Sequence, residues 1–123
     1  IFDQPATEFV AAFVGESNRV DAIVRQGTLF WGPLQLGTYA GADGLRVRAL
    51  FRPGDVYVSS HAEPAAVPGV IRSSRFMGPI VVLEIELAPD FAITAQLPAG
   101  VAQQSGFAAG KPVFVAVTRF HLF

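Results

Sequence analysis

The chain of 123 residues has no cysteine and little charge, since charged residues make up only 15% of it. Without cysteine, disulfides, thiol catalysis and Cys-based metal sites are excluded. Only Lys111 among the nine basic residues is a lysine, and the nine are scattered among ten acidic residues, for a formal net charge of −1. Binding to a nucleic-acid backbone needs many cations on one face. The charge therefore argues against a nucleic-acid partner.

Long apolar runs are also missing. No stretch reaches the roughly 18 apolar residues that a membrane span requires, and the run from Pro79 to Leu83 is stopped by Glu84. No charged segment followed by an apolar one opens the chain, so we expect no signal peptide. The first residue is Ile1 rather than Met, which suggests a fragment or a processed product. Apolar residues still make up 51% of the chain, which suits one domain with its own core.

The first eighteen residues have the apolar spacing of a helix. Asp3 can cap a helix, Pro5 suits its first turn, and Gly15 can end it. Between them, four apolar residues share one helical face: Phe9, Val10, Phe13 and Val14. The pattern predicts a short helix over about residues 5–14, whose apolar stripe needs a partner surface because a short helix alone is marginal in water.

After Asn18 the apolar period changes from 3.6 to 2. Residues in four segments alternate between apolar and polar, which predicts strands with one buried and one wet face: 45–51, 81–87, 91–97 and 113–117. Shorter strands are expected at 20–24, 29–31 and 55–59. The Ala88-Pro89-Asp90 turn reads as a hairpin loop, and a helix is expected between Pro98 and Phe107. A connector from His61 to Pro68 divides the strands into two halves without a strict repeat, and the whole predicts a small barrel or sandwich.

One segment superficially resembles a phosphate-binding loop. Gly106 and Gly110 precede Lys111, but only three residues separate the glycines where a Walker A loop has four. Pro112 also stands where that loop needs a hydroxyl for magnesium. We therefore interpret the segment as a turn that enters the last long strand.

Histidines and carboxylates give no clear site. His61 and His121 lack the further ligands that a zinc site needs, so His61 is expected in a solvated loop and His121 at an edge or on the surface. Glu84 and Glu86 share one strand face and could do acid–base work, although a wet strand face explains them more simply. A set of arginines forms a second wet face that could pair with them across strands: Arg46, Arg48 and Arg52.

The most site-like segment runs from Arg72 to Gly78. It contains Arg72, Ser73, Ser74 and Arg75, whose guanidinium and hydroxyl groups suit a tetrahedral oxyanion. Simple alternation would place Arg72 with Ser74 on one face and Ser73 with Arg75 on the other. One copy then supplies part of a shell, and Lys111 or a second copy would complete it. A plain strand with a bend at Gly78 is the alternative, and both interpretations stay open.

Residues 1–18 read IFDQPATEFVAAFVGESN, which resembles a segment that follows the nucleotide-binding domain in the ATP-binding subunits of ABC importers. The Pro-Ala-Thr, Phe-Val and Gly-x-x-Asn elements of that segment are in place. Residues 51–56 are similar to a strand entry of the same family, and Arg75 to Pro79 resembles the glycine turn of the TOBE module. Residues 110–123 are similar to the closing strand of the sulfate/thiosulfate and molybdate branch.

The resemblance implies a mainly β, OB-like TOBE barrel over residues 19–123 with an N-terminal linker helix over residues 1–18. It implies no catalytic residue, cofactor or metal in this chain, because ATP and Mg²⁺ would bind the missing nucleotide-binding domain. The implied partners are that domain, a second copy of the subunit and a transmembrane permease. The implied location is cytoplasmic, peripheral to the inner membrane.

Three functions follow as hypotheses. The first is an accessory, regulatory domain that supports dimerisation of an ATPase subunit for sulfate-like anion import. The second is a module that senses an oxyanion. The third is an OB-fold nucleic-acid binder, which would stack bases on Phe30, Trp31 or Tyr57 but is disfavoured by the charge.

Overall fold

The computed structural model describes residues 18–88 and 91–122, which form two five-stranded antiparallel sheets, one α-helix and a 3-10 turn. The predicted helix at 5–14 lies outside the described residues. The strands are β1 (Asn18–Arg25), β2 (Thr28–Trp31), β3 (Leu34–Thr38), β4 (Arg46–Phe51), β5 (Val56–Ser59), β6 (Val67–Met77), β7 (Ile80–Ala88), β8 (Phe91–Pro98), β9 (Pro112–Val117) and β10 (His121–Leu122); the helix is α1 (Ala99–Ser105) and the 3-10 turn is Pro53–Asp55.

Sheet A has the strand order β10-β4-β1-β2-β3, and sheet B has the order β5-β9-β6-β7-β8. Their inner faces share one apolar core, whose largest fully buried side chains come from both sheets: Phe51, Leu29 and Leu34 from sheet A, and Ile71, Leu83 and Ile85 from sheet B. Burial alternates along β1 and β8 as period-2 segments require, whereas in β7 the consecutive residues Val81, Val82 and Leu83 are all buried. The mainly β prediction is confirmed.

The predicted helix between Pro98 and Phe107 is confirmed as α1, which ends at Gly106 in a left-handed conformation (φ 69°). The Gly106 N–H donates to Gln103 O at 3.2 Å, and the Phe107 N–H donates to Ala102 O at 3.0 Å. A left-handed residue just past the helix end is the usual way to satisfy its last carbonyls. The near-match to a phosphate loop is thus a helix end followed by a turn, as the sequence indicated.

Three features differ from the sequence-based expectations, and the first is β3, where no strand was predicted. The connector from His61 to Pro68 is shorter than expected, because β6 already begins at Val67 and runs for eleven residues. Arg46 and Arg48 do not pair with the Glu84 face, because β4 lies in sheet A and β7 in sheet B. Arg48 instead lies 4.0 Å (Nε to Oδ1) from Asp21, an exposed pair.

An internal repeat relates the two sheets, although the sequence shows no strict repeat. In the first half, residues 18–51, the Val24 N–H donates to Leu45 O at 3.0 Å and Val24 O accepts the Gly44 N–H at 2.8 Å. The Leu45 N–H donates to Ala42 O at 3.1 Å. These bonds hold the turn that enters β4 against the end of β1.

The second half, residues 67–117, repeats this arrangement. The Ile71 N–H donates to Lys111 O at 3.0 Å, Ile71 O accepts the Gly110 N–H at 2.7 Å, and the Lys111 N–H donates to Ala108 O at 3.1 Å. Gly110 has φ 90°, and its counterpart Gly44 has φ 88°. β6 and β9 therefore correspond to β1 and β4, with Arg72 in the place of Arg25.

The strand that follows each half along the chain pairs with the other half. β5 follows β4 along the chain but pairs with β9, where Tyr57 lies opposite Ala116. β10 follows β9 but pairs with β4, where His121 lies opposite Leu50. The halves exchange equivalent strands, so neither sheet is complete without the other.

A side-chain amide also joins the two sheets. Asn18 Nδ2 donates to Thr94 O at 2.9 Å, and Asn18 Oδ1 accepts the Thr94 N–H at 2.9 Å. Nδ2 also lies 3.3 Å from Phe51 O. Asn18 thus holds the start of β1 against the outer edge of β8 in the way that a neighbouring strand would.

Candidate functional site

The predicted site segment, Arg72 to Gly78, forms the far part of the β6–β7 hairpin. β9 pairs with β6 only from Val67 to Val70, whereas β7 pairs with β6 as far as Met77. The hairpin therefore extends beyond β9, and residues 72–79 are exposed. The described residues provide no strand on the open side of this extension.

A β-bulge changes the faces that alternation predicts. The register of β6 against β7 shifts between Ile71 and Ser73, so that Ser73 lies opposite Glu84. Ser73 Oγ is 3.4 Å from Glu84 Oε1, and Arg72 Nε is 4.0 Å from Glu86 Oε1. Arg72 and Ser73 thus both lie next to the glutamate face, because a bulge places two consecutive residues opposite one.

The rest of the segment follows the ordinary register. Ser74 lies opposite Leu83, and Arg75 lies opposite Val82. Gly78 has φ 66° in the two-residue turn, with open space where a Cβ would stand. Arg75 and Ser73 therefore share the outer face of sheet B with the two glutamates.

Lys111 is near the segment through its main chain and not through its ammonium group. Its carbonyl accepts the Ile71 N–H, directly before Arg72. Its Nζ donates to Ser105 O at 3.0 Å, where a cation at the end of α1 is favourable. A single copy therefore presents Arg72, Ser73 and Arg75 on one face beside two carboxylates, and the oxyanion site stays a prediction.

A second polar cluster lies on β5 and the connector. Tyr57 Oη donates to Glu63 Oε2 at 2.9 Å, and Ser59 Oγ donates to the same oxygen at 3.1 Å. The hydrogen bond to Glu63 raises the pKa of the Tyr57 hydroxyl. The His61 N–H donates to Ser59 Oγ, while the His61 side chain is exposed in the connector, as expected. These bonds fix the connector against sheet B.

In the internal repeat, His121 of β10 corresponds to Tyr57 of β5. It lies on an edge strand, as the sequence indicated, but its Nε2 atom is buried. Burial, followed by the positive charge of Arg52, lowers the pKa of its imidazole. The neutral ring is therefore the form that the fold favours.

Sequence reasoning missed an open cleft of about 400 Å³ in the first half, lined by Arg25, Gln26, Thr28, Phe30 and Asp43. Asp43 Oδ1 accepts the Gln26 N–H at 2.8 Å. Arg25 corresponds to Arg72, so the cleft shares that one position with the predicted oxyanion segment, whose other residues extend past the end of the repeat. Ala109 stands in the place of Asp43, so the second half has no carboxylate there.

Within residues 18–88 and 91–122, no three His, Asp or Glu side chains come together as a metal-binding group. α1 has seven residues, and the described part of the chain contains no helix that is long and apolar enough to span a membrane.

Comparison with known proteins finds a matching domain model and similar ATP-binding subunits of importers. Residues 61–118 match the family model of a TOBE-like domain. The chain is 30% identical over 115 residues to the sulfate/thiosulfate import ATP-binding protein CysA of Synechocystis sp., covering 94% of this chain and 31% of that protein. It is 30% identical over 128 residues to the spermidine/putrescine import ATP-binding protein PotA 1 of Pseudomonas aeruginosa, covering 97% and 34%. The chain spans about a third of the length of these curated relatives.

A solved structure shares the fold. The cytoplasmic molybdate-binding protein ModG, in a crystal form with molybdate bound, superposes with a TM-score of 0.69 at 14% sequence identity. The match covers 85% of this chain and 94% of that chain. The expected OB-like fold is thereby confirmed.

Proposed function

We propose that this chain is the regulatory C-terminal domain of an ATP-binding subunit of an ABC importer. The premise is that residues 61–118 match a TOBE-like domain and that the chain is similar along its length to such subunits. It would stabilise the pair of ATPase subunits in an importer for a sulfate-like anion. Its partners would be its own nucleotide-binding domain, a second subunit and the permease. The complex would hold it at the cytoplasmic face of the inner membrane.

One observation carries the proposal: the relatives match this chain almost from end to end, but the chain accounts for only a third of them. A non-catalytic role agrees with the local geometry of the one near-match to a phosphate loop. There Lys111 Nζ donates a hydrogen bond to Ser105 O, and Pro112 stands where a Walker A loop has the hydroxyl that holds magnesium. ATP and Mg²⁺ would bind upstream of residues 18–122.

An antibody raised against this chain tests the proposal in the native cells. We expect it to detect a protein of about three times the mass of this chain, because the chain spans about a third of its relatives. Peptide mass spectrometry of that band should find a Walker A motif, and the band should co-purify with a membrane permease. A band at the mass of the chain alone, with no permease, would contradict the proposal.

An oxyanion-sensing role is the second candidate, and the exposed group of Arg72, Ser73 and Arg75 favours it. Titration calorimetry with sulfate and molybdate tests it on wild type and on Arg75→Ala, with Arg46→Ala in the other sheet as the matched control. We expect weak binding that Arg75→Ala abolishes and Arg46→Ala leaves unchanged. Equal binding by all three proteins would place the anion elsewhere, and no binding at millimolar anion would remove the sensing role.

A further inference from the structure

The extended β6–β7 hairpin leaves a strand edge open. The Ile71 N–H donates to Lys111 O, and the Ile71 C=O accepts the Gly110 N–H, in the turn that enters β9. At the other end, Met77 and Ile80 flank the two-residue turn, which is the position of a hydrogen-bonded pair. Hydrogen-bonded and non-hydrogen-bonded pairs alternate along an antiparallel ladder. Counting back from Met77, the N–H and C=O groups of Ser74 and Phe76 therefore point away from β7, to the open side.

This extension is specific to the second half. In the first half β1 ends at Arg25, the counterpart of Arg72, and the chain turns at Gln26. β6 continues for five residues past the equivalent point, to Met77. Phe76 is 62% exposed there, although its register partner Val81 is only 4% exposed. The hairpin thus presents an apolar side chain and backbone groups that no described strand pairs.

The outer edge of β8, unlike the open edge of β6, is bonded by a side chain. Asn18 already bonds both the N–H and the C=O of Thr94 on it. Among the described residues Asn18 covers this edge at Thr94, near its middle, which interrupts it as a template, whereas an open edge can pair with another strand. Among the described strands of sheet B, the extension of β6 is therefore the edge that is both long and uncovered.

We propose that a second copy of this chain pairs with this edge, antiparallel, about a two-fold axis at Arg75. The inference rests on the proposed dimerising role and names the surface that performs it. The Ser74 N–H would donate to the carbonyl of the partner's Phe76, and the Ser74 carbonyl would accept from the N–H of the partner's Phe76. The symmetric pair repeats these two bonds, giving four in all.

The side chains are compatible with this register. Arg75 faces the partner's Arg75, and like charges directly opposite destabilise a sheet. Glu84 lies diagonal to Arg75 on β7, within reach of a long side chain, and offsets that repulsion. On the opposite face, the small side chain of Ser74 leaves room for the ring of the partner's Phe76. The β8-β7-β6 part of sheet B would join its equivalent in the partner as one six-stranded sheet, with β9 and β5 beside the other end of β6 in each copy.

Single-cysteine cross-linking tests the register in a chain that has no cysteine of its own. Arg75→Cys places two thiols across the axis at the close approach of a non-hydrogen-bonded pair, which suits a disulfide. We expect a covalent dimer under mild oxidation at micromolar protein. Gln103→Cys on exposed α1 is the matched control and should stay monomeric on a non-reducing gel. Equal cross-linking of the two variants would overturn the register.

Sedimentation equilibrium with edge variants tests the hydrogen bonds. Phe76→Pro removes an N–H that points to the open side, so the hairpin keeps its own bonds and Pro is tolerated at an edge. Phe76→Ser controls for the lost ring. We expect Phe76→Pro to raise the dimer dissociation constant at least tenfold above that of Phe76→Ser, with circular dichroism unchanged in both.

The outcomes separate this inference from the proposed function. If the dimer dissociation constant is unchanged by Phe76→Pro and Arg75→Cys does not cross-link, the edge pairing is overturned. The dimerising role would remain and would use another surface. A chain that is monomeric at every concentration overturns both the pairing and the dimerising role. The subunit assignment is tested separately, by the antibody experiment.

Discussion

At the scale of single residues, Asn18 connects three strands through one amide. Replacing it with Ala removes the bonds to Thr94 and Phe51 and leaves their backbone groups without that partner. We expect Asn18→Ala to lower the free energy of unfolding by about 1–3 kcal/mol, measured by urea denaturation. Gln35→Ala, at an exposed position of β3, is the control and should change it little. Equal stability of both variants would show that the amide does not join the sheets.

Gly32 provides a second residue-scale prediction. A Cβ there would stand 2.5 Å from the Phe91 ring, and the backbone is left-handed at φ 55°. Gly27 has φ 75° with nothing within 4 Å, so Gly27→Ala measures the conformational cost alone. We expect Gly32→Ala to lower the melting temperature more than Gly27→Ala because of the added clash. The opposite order would mean that Phe91 moves away without cost.

His121 predicts how stability depends on pH. Its pKa is lowered in the folded chain, so between that value and the ordinary 6.5 the unfolded chain binds more protons. This contribution is fully present above about pH 6.5 and is lost as pH falls. We expect wild type to lose more stability than His121→Gln between pH 7 and pH 5.5, measured by urea denaturation at each pH. Parallel losses in the two proteins would assign the effect to carboxylates.

At the scale of elements, the sequence predicted the strands whose alternation was regular and missed the features that depend on pairing. β7, β8 and α1 stand where the apolar pattern placed them. The bulge at Arg72 was not predictable, because it arises from the register of β6 against β7 and does not show in the apolar–polar alternation of the sequence. The position of Lys111 Nζ was not predictable either, since it depends on where α1 ends. The sequence thus indicated the residues of the candidate site but not the faces of the sheet on which their side chains lie.

The end of α1 carries an element-scale prediction. Lys111→Ala removes the bond from Nζ to Ser105 O and should lower the free energy of unfolding by about 0.3–1 kcal/mol, the range for a cation at a helix C-terminus. ATP hydrolysis should be absent in both wild type and variant, since no phosphate cradle forms there. Turnover in clean wild-type protein that Lys111→Ala abolishes would show that the turn binds phosphate.

At the scale of the whole molecule, the exchanged strands should make the two halves unfold together. Trp31 is the only tryptophan; it lies on β2 in sheet A and packs edge-on against Phe91 of sheet B, with the ring centroids 5.0 Å apart. A Trp31→Phe, Phe114→Trp variant moves the reporter to β9 in sheet B. We expect both proteins to show one urea transition that coincides with the far-ultraviolet circular dichroism of the same protein. A fluorescence transition that precedes the circular dichroism would mean that the sheets unfold independently.

The exchange of β5 and β10 also brings distant parts of the chain to the same place. Asn18 lies opposite Phe51 on one side of β4, and His121 lies opposite Leu50 on the other, so residues 18 and 121 are about 10 Å apart at two strand spacings. A short linker could join them, and new ends could open in the exposed connector after His61. Such a circular permutant would keep every strand pair while reversing the order in which the halves leave the ribosome. Its folding would show that the swap is a property of the finished sheets and not of their order of synthesis.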